Sequence, residues 1–177
     1  MEERKVVIFC AASTKMDPKY NEAARELTRA LHALGWTLVS GGGKVGTMGA
    51  ITGESIRCGG KHIAVLPRFM KGLENPGVSE VVWTDTMAER KEKMREGTLA
   101  AIALAGGIGT LDELIETQTL RKLGRYGGDL FALNLDGFFD PYKALLDHFV
   151  REGSLEAQDR DLVHFEDSVQ ALLRYFR

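Results

Sequence analysis

Glu113 follows a glycine-rich turn, and this combination of residue types could bind and cleave a phosphorylated ligand. Residues 105–113 read A-G-G-I-G-T-L-D-E, between the apolar run 99–104 and a helical pattern of apolar residues that begins at Leu111. Free backbone N–H groups and the positive end of a helix dipole attract an anion at such a turn, most often a phosphate. The pattern places Glu113 in the first turn of the helix, with its carboxylate facing the bound anion.

A structural alternative exists for the same residues. Thr110 and Glu113 have the spacing of a capping box, in which Thr110 is the N-cap and Glu113 binds back to it. The two roles could coexist, because a capping hydrogen bond would also hold the carboxylate in place. The glycines at 106, 107 and 109 favour contact with a ligand.

A second glycine-rich turn follows the second predicted strand. Residues 41–49 read G-G-G-K-V-G-T-M-G, which contains the spacing G-x-G-x-x-G. The motif lacks the acidic residue about 20 positions later that a dinucleotide site needs. Val45 stands after Lys44 where a P-loop requires Ser or Thr, so a P-loop is excluded. The alternative is a tight turn that requires glycine conformations.

Arg90 is the third candidate. On a helix, Met87, Arg90, Lys91 and Met94 fall on one stripe, so Arg90 emerges between two methionines on the face that should be buried. A guanidinium there could bind two oxygens of a phosphate or carboxylate. The alternative is an arginine that extends along a solvated helix to reach water.

Strand and helix patterns alternate along the chain, with apolar strands and helices of mixed character. This predicts an α/β fold in which a doubly wound, Rossmann-like parallel sheet is flanked by helices on both faces. We expect one domain over residues 1–177, ending in a helical tail at 154–177. The predicted strands are 6–11, 36–40, 62–66, 78–84, 99–104 and 130–135, and the predicted helices are 20–34, 48–57, 87–97, 110–123, 140–152 and 169–176.

Composition restricts the class of protein. The formal net charge of −2 argues against a general nucleic-acid binder. Two cysteines without metal-ligand spacing and four scattered histidines predict no disulfide framework and no metal site. No apolar run reaches the length of about 20 residues that a membrane span needs, so we expect no membrane partner and a cytoplasmic setting.

Together these motifs resemble the LOG (lonely guy) family of cytokinin riboside 5′-monophosphate phosphoribohydrolases, formerly labelled lysine decarboxylases. The family signature P-G-G-x-G-T-x-x-E is matched at 105–113 except for Ala105, and G-G-G-x-x-G-L-M-G at 41–49 except for Thr47. The motif M-H-E-R-K-x-x-M is matched at 87–94 except for Ala88. Residues 9–13 and 134–141 also resemble the family, and the similarity extends over about 6–153.

The resemblance implies a Rossmann-like homodimer that hydrolyses the N-glycosidic bond of AMP or an N6-substituted adenosine 5′-monophosphate. Free base and ribose 5-phosphate would be the products, and neither a metal nor another cofactor is expected. By position, Arg90 and Glu113 match the catalytic pair. The candidate substrate-binding residues are Ser13, Gly42, Gly43, Met48, Lys91, Gly106, Gly107, Ile108, Gly109, Thr110 and Thr119.

Chemistry and departures from the family motifs leave two functions to compare. Cleavage passes through an oxocarbenium-like state, which the Glu113 carboxylate could stabilise or attack through an activated water, while Arg90 could hold that carboxylate ionised. Ala105, Ala88, Thr47 and Leu120 differ from the family. The first three motivate an alternative: a non-catalytic protein that binds a nucleotide or carries a phosphorylated cofactor such as molybdenum cofactor. Lysine decarboxylation is disfavoured, because the chain is short for a pyridoxal-phosphate enzyme and no lysine is marked as a Schiff-base former.

Overall fold

A seven-stranded parallel sheet forms the centre of the protein, whose structure is a computed structural model that describes residues 3–177. The strand order is β4-β3-β2-β1-β5-β6-β7, and every neighbouring pair is parallel. The strands are β1 (Lys5–Phe9), β2 (Thr37–Ser40), β3 (His62–Pro67), β4 (Glu80–Thr84), β5 (Ala100–Ala103), β6 (Asp129–Leu133) and β7 (Val163–Glu166).

Helices cover both faces of the sheet. They are α1 (Pro18–Ala33), α2 (Gly46–Cys58), α3 (Met87–Arg95), α4 (Ile108–Lys122), α5 (Asp140–Arg151), α6 (Ala157–Arg160) and α7 (Val169–Leu172). One apolar core contains residues of α1, α2 and α7, and the other contains residues of α3, α4 and α5. The predicted doubly wound α/β fold is therefore confirmed.

The side chains of residues 6–9 on β1 alternate between the two faces of the sheet, and helices must cover both faces because all of these side chains are apolar. Val6 and Ile8 belong to the core under α1, α2 and α7, while Val7 and Phe9 belong to the opposite core. All four side chains are buried. A strand with apolar residues at consecutive positions has no face that can be left to water, so it lies inside a parallel sheet.

The winding direction of the chain reverses between β1 and β5. From β1 the strands proceed outward to β4, and the chain then returns to place β5 on the other side of β1. The loops after these two strands diverge at the carboxyl edge of the sheet and leave a crevice, which is where ligands bind in open α/β sheets. Both glycine-rich turns lie at this edge, since they follow β2 and β5.

The prediction of a helical tail at 154–177 is wrong. The tail contains β7, which extends the sheet by pairing with β6, and two short helices. β7 reads V-H-F-E and is only partly buried because it is an edge strand, so the apolar run that marks the inner strands is missing. The predicted helix 169–176 is also shorter than expected, because α7 gives way to a 3₁₀ turn at Leu173–Tyr175.

Among the described helices, none combines the length and apolar character that crossing a membrane would require.

We predict that Phe176→Ala lowers the free energy of unfolding by about 3–5 kcal/mol, the range for truncating a buried aromatic residue. The Phe176 ring is fully buried, packs against Trp36 and Phe131, and its carbonyl accepts a hydrogen bond from Trp36 Nε1. Urea unfolding measures the change. Arg174→Ala, at an exposed position of the same tail, should change it by less than about 0.5 kcal/mol; equal effects of the two variants would contradict this packing role.

Candidate active site

Glu113 and Arg90 meet at the carboxyl edge of the sheet. Arg90 comes from α3 and Glu113 from α4, and Arg90 Nη1 lies 4.0 Å from Glu113 Oε1. Both residues are buried, with exposed fractions of 7% and 9%. The separation is too long for a direct hydrogen bond, so the two charges attract each other while their polar atoms remain available to a third group.

The Arg90 guanidinium is held from two sides. Its Nε donates a hydrogen bond of 2.9 Å to the carbonyl of Val65 on β3. A β-carbon at Gly41 would overlap the guanidinium, so the glycine loop after β2 packs directly against it. The predicted burial of Arg90 is confirmed, and Met94 is buried beside it, whereas Met87 is largely exposed. Arg90 is therefore fixed at the site and does not extend into solvent.

The capping-box interpretation of Thr110 and Glu113 is wrong. Helix α4 begins at Ile108, its N-cap is Gly107, and no side chain caps it. Thr110 is the third residue of the helix and Glu113 the sixth, so Glu113 lies in the second turn and not in the first. The N-cap residue Gly107 is extended (φ −97°, ψ −154°), and the helix begins two residues before Thr110. The Glu113 carboxylate is thereby free of its own helix end.

Burial determines the charge state of Glu113. Desolvation raises the pKa of its carboxyl group to about 7. Arg90 lowers this pKa, and its effect is the largest among the positively charged neighbours. Arg90 therefore lowers the pKa of Glu113 as expected, but it does not keep the group fully ionised, because burial raises the pKa by more. Near neutral pH the carboxyl group can both hold and release a proton, which suits acid–base chemistry.

The start of α4 offers hydrogen-bond donors to an anion. The first backbone N–H groups of a helix have no partners within it. In the described chain, the Thr110 hydroxyl is buried and has no hydrogen-bond partner. A β-carbon at Gly106 would overlap that hydroxyl, which explains glycine at this position. Next to these donors is a mainly apolar cleft of about 410 Å³. It is lined by Gly106, Gly107, Ile108, Thr110, Leu111, Phe138, Phe139, Pro141, Tyr142 and Leu145.

The glycine loop after β2, residues 41–43, contributes to the site by close packing more than by free hydrogen-bond donors. Gly42 adopts a φ of +67°, and both its polar backbone atoms are engaged within the protein, its N–H with Ser40 Oγ and its carbonyl with the N–H of Asn75. The Gly43 carbonyl accepts a hydrogen bond from Thr52. The Met48 side chain lies beside Gly41 and Gly43. Of the residues predicted here, Gly42 therefore has no free backbone donor for a ligand.

Ser13 lies in the middle of the loop that follows β1. The residue is exposed, and its hydroxyl accepts a hydrogen bond from the N–H of Lys15. Gly46, at the start of α2, approaches the backbone of Ala12 and Ser13 so closely that a β-carbon would collide with it. The loops after β1 and β2 are thus packed together at the edge that carries Arg90 and Glu113.

Lys91 and Thr119 form their polar contacts with groups other than the Arg90–Glu113 pair, although the charge of Lys91 is near enough to lower the pKa of Glu113. Lys91 forms ion pairs with Asp112, at 3.0 Å, and with Glu116, so it joins α3 to α4. Thr119 is six residues after Glu113, about 9 Å further along the helix axis at 1.5 Å per residue. Its hydroxyl donates to Ile115 O, and the residue lines a second apolar cleft, of about 310 Å³, between α4 and α5.

Cys10 is a neighbour of the pair that the sequence patterns did not single out. It follows β1 and is buried, and its thiol is close enough to the pair for Glu113 to raise its pKa and Arg90 to lower it. Burial is the largest of these effects and raises the pKa well above the ordinary value. Its position after the central strand was the one available signal. Within residues 3–177, no group of three or more His, Cys, Asp or Glu side chains is placed to hold a metal ion.

Comparison with known proteins identifies relatives over most of the chain. A family model described as "Possible lysine decarboxylase" matches residues 48–176. Cytokinin riboside 5′-monophosphate phosphoribohydrolase LOG of Oryza sativa subsp. japonica is 37% identical over 163 residues, which cover 90% of this chain and 67% of the relative. The Mycobacterium tuberculosis protein named cytokinin riboside 5′-monophosphate phosphoribohydrolase is 35% identical over 171 residues, covering 96% and 91%.

Solved structures with the same fold include a molybdenum cofactor binding protein and a molybdenum cofactor carrier protein. The molybdenum cofactor binding protein from Rippkaea orientalis has a TM-score of 0.74 and 20% identity, covering 99% of this chain and 96% of that one. The molybdenum cofactor carrier protein from Chlamydomonas reinhardtii has a TM-score of 0.76 and 17% identity, covering 98% and 95%. At these identities the likeness establishes the fold alone.

We predict that Glu113→Gln stabilises the protein at pH 8 but not at pH 4. The folded-state pKa of Glu113 is about 7, above its ordinary 4.5, so the native protein loses stability as pH rises between these values. The loss approaches about 3 kcal/mol at pH 8, and glutamine cannot ionise. Urea unfolding at both pH values measures the difference. Glu92→Gln, at an exposed position, serves as control; the same pH dependence in both variants would contradict the burial effect.

Proposed function

We propose that this chain, because it belongs to the LOG family, hydrolyses the N-glycosidic bond of AMP or of an N6-substituted adenosine 5′-monophosphate. The observation that carries the proposal is the Arg90–Glu113 pair, 4.0 Å apart and buried beside the uncapped start of α4. Relatives at 35–37% identity are named phosphoribohydrolases of cytokinin riboside 5′-monophosphates. Water adds across the bond between C1′ of the ribose and the base, which gives ribose 5-phosphate and free base.

The 5′-phosphate would bind at the start of α4. The backbone N–H groups of Ile108 and Gly109 belong to the uncapped first turn of α4, and within residues 3–177 the Thr110 hydroxyl has no hydrogen-bond partner. The helix dipole favours negative charge at this end. Gly106 allows the Thr110 hydroxyl to occupy its position. The phosphate would thereby fix one end of the substrate and leave the ribose near the carboxyl edge of β1 and β5.

The Glu113 carboxylate would act on the ribose. Positive charge develops at C1′ as the bond to the base breaks, and an ionised carboxylate in a buried site stabilises that charge more strongly than water would. With a pKa of about 7, Glu113 can also accept a proton from the water that attacks C1′. The hydroxyl of that water then becomes the 1-hydroxyl of ribose 5-phosphate, and the proton taken up by Glu113 would pass to the departing nitrogen of the base, which leaves as the neutral free base.

Arg90 would orient the substrate and favour the ionised form of Glu113. Its Nε is committed to Val65 O, which leaves the two terminal nitrogens of the guanidinium to face Glu113 and the ligand. A phosphate or ribose oxygen bound there would satisfy donors that are otherwise desolvated. The attraction between the two charges lowers the pKa of Glu113 against the effect of burial.

Two other activities have less support. Decarboxylation of lysine through a Schiff base needs a lysine that can lose its proton, but the ion pairs of Lys91 with Glu116 and Asp112 raise its pKa. A carrier of molybdenum cofactor would share this fold, but it would not need a desolvated carboxylate beside an arginine. In the activity assay below, tight binding of a nucleotide without release of base would support the carrier.

The surface of α4 and α5 supports a homodimer. Ile108, Ile115, Leu145 and Phe149 are exposed on these helices, and the two apolar clefts meet at Tyr142 and Leu145. An apolar surface that is continuous over two helices is typical of an interface between subunits. A second copy bound there would lie next to Ile108 and Thr119, so both subunits would border one substrate site.

The cellular setting is also a proposal. Both cysteines, Cys10 and Cys58, are free. Unpaired thiols of this kind are typical of proteins that work in a reducing compartment. We therefore propose that the protein acts in the cytoplasm, where nucleoside monophosphates are present.

The activity is tested by incubating the protein with AMP and with isopentenyl-AMP and measuring free base by chromatography. We expect release of base from at least one substrate, with kcat/KM rising as pH passes about 7 because Glu113 must be ionised. Glu113→Gln should lower kcat by about 10²–10³-fold. Glu92→Gln, on the exposed face of α3, is the control; no base from either nucleotide, with folded wild-type protein, would overturn the proposal.

The dimer is tested by light scattering during size-exclusion chromatography. We expect the mass of two chains for the wild-type protein and of one chain for Leu145→Glu, because a carboxylate in the centre of the α4–α5 surface would be buried by a second copy. Ile56→Glu, at a similarly exposed position on the opposite side of the sheet, should remain a dimer. A monomeric wild-type protein would rule out this surface as a homodimer interface.

A further inference from the structure

We propose that Ser40 and His62 are positioning residues for Arg90, joined with Ser55 and His32 in one hydrogen-bonded chain of fixed direction that holds the glycine loop 41–43 against the guanidinium. This proposal rests on the proposed hydrolysis in one respect, because that function gives Arg90 its role in the reaction. The chain of hydrogen bonds itself is independent of any activity.

The inner half of the chain ends on the glycine loop. His62, the first residue of β3, has its Nε2 2.7 Å from Ser40 Oγ, at the end of β2. Ser40 Oγ also accepts a hydrogen bond of 3.0 Å from the N–H of Gly42. Ser40 and His62 are both at most 1% exposed, so water cannot substitute for either partner.

The outer half of the chain ends on a backbone carbonyl. Nδ1 of His62 lies 2.9 Å from Ser55 Oγ on α2, and Ser55 Oγ lies 2.8 Å from Nε2 of His32 on α1. Nδ1 of His32 is 3.1 Å from the carbonyl oxygen of Trp36. Four side chains from two strands and two helices are thus connected in series.

The carbonyl of Trp36 fixes the direction of the outer half. A carbonyl can only accept, so the proton of His32 is on Nδ1, and Nε2 of the neutral ring must accept. Ser55 therefore donates its single hydroxyl proton to His32. Because that proton is used, Ser55 can only accept from His62, whose proton is consequently on Nδ1.

The hydrogen-bond direction continues from His62 through Ser40 to the glycine loop. Nε2 of His62 carries no proton, so it accepts the hydroxyl proton of Ser40. The lone pairs of Ser40 Oγ then face the N–H of Gly42. Burial supports the neutral state of both rings, since it lowers the pKa of His62 to about 3 and also lowers the pKa of His32. Every hydroxyl and imidazole proton in the chain thus has one defined acceptor.

Arg90 lies at the end of this arrangement. Gly42 is fixed by Ser40 on its N–H side and by Asn75 on its carbonyl side, and its φ of +67° turns the loop. Gly41 is held between Ser40 and Gly42 and packs against the guanidinium, where a β-carbon has no room. A loop that loses its hydrogen bond to Ser40 can retreat from Arg90, and a shift of this kind near reacting groups lowers kcat.

Nitrogen NMR of the wild-type protein without substrate tests the chain directly. Long-range ¹H–¹⁵N correlation distinguishes the two neutral tautomers of histidine. We expect both His32 and His62 to carry the proton on Nδ1 at pH 7.5, and His62 to stay neutral at pH 5. A proton on Nε2 of His62 would overturn the proposed direction, whether or not the protein is an active enzyme.

Ser40→Ala tests the positioning role, with Thr28→Val as matched control. Thr28 is also a buried hydroxyl residue, but it donates to Ala24 O within α1, away from the loop, and valine removes this hydroxyl just as alanine removes that of Ser40. The signal of the Arg90 Nε–H group, identified by its loss in Arg90→Lys, should shift or broaden in Ser40→Ala and remain unchanged in Thr28→Val. The kcat of Ser40→Ala should fall about tenfold while KM changes less than about twofold.

The outcomes separate the two proposals. An unchanged Arg90 signal in folded Ser40→Ala overturns the positioning role even if the enzyme is active. A loss of kcat that Thr28→Val shares to the same degree also overturns it, because the effect would then be the general cost of losing a buried hydroxyl. An inactive wild-type protein with the expected tautomers and the expected shift of the Arg90 signal would overturn the proposed hydrolysis but leave the positioning of Arg90 intact.

Discussion

Desolvation of the Glu113 carboxylate is the constraint on which the rest of the site depends. Taking an ionised carboxylate out of water is costly, and the protein offsets that cost only in part with a guanidinium 4.0 Å away. To bring the two groups together, α3 and α4 must both begin at the carboxyl edge of the sheet, where the strands before them end. Small residues around the pair allow the approach: Gly41 lies against the guanidinium and Gly106 beside Thr110.

Two classes of polar group surround this pair. In the glycine loop 41–43, the N–H and carbonyl of Gly42 and the carbonyl of Gly43 are engaged within the protein, through Ser40, Asn75 and Thr52. The groups of the second loop are open, since α4 has no side-chain cap and the Thr110 hydroxyl is unpartnered. Under the proposed function, the first loop acts as support for Arg90 and the second would receive the ligand. A bound phosphate would satisfy donors whose desolvation already lowers the stability of the free protein.

Much of the fold was predictable from sequence because the inner strands are apolar on both faces and the helices have clear ends. The edge strand β7 was not, since a short, half-buried strand such as V-H-F-E lacks that signal. Within the site, residue types identified Arg90 and Glu113, but the capping-box spacing at Thr110 was misleading because a glycine N-cap needs no side chain. The ion pairs of Lys91 and the chain through His62 depend on contacts between distant segments, which single-sequence spacing does not contain.

The two free thiols differ in accessibility in a way that is useful for labelling. Cys10 is buried beside the pair with a raised pKa, so it is a poor nucleophile toward alkylating reagents, while Cys58 is exposed at the far end of α2. A maleimide dye should consequently attach at one place in the native protein. The label would lie about 18 Å along the helix axis from Gly46, at 1.5 Å per residue. It would report on movement of α2 without obstructing the crevice.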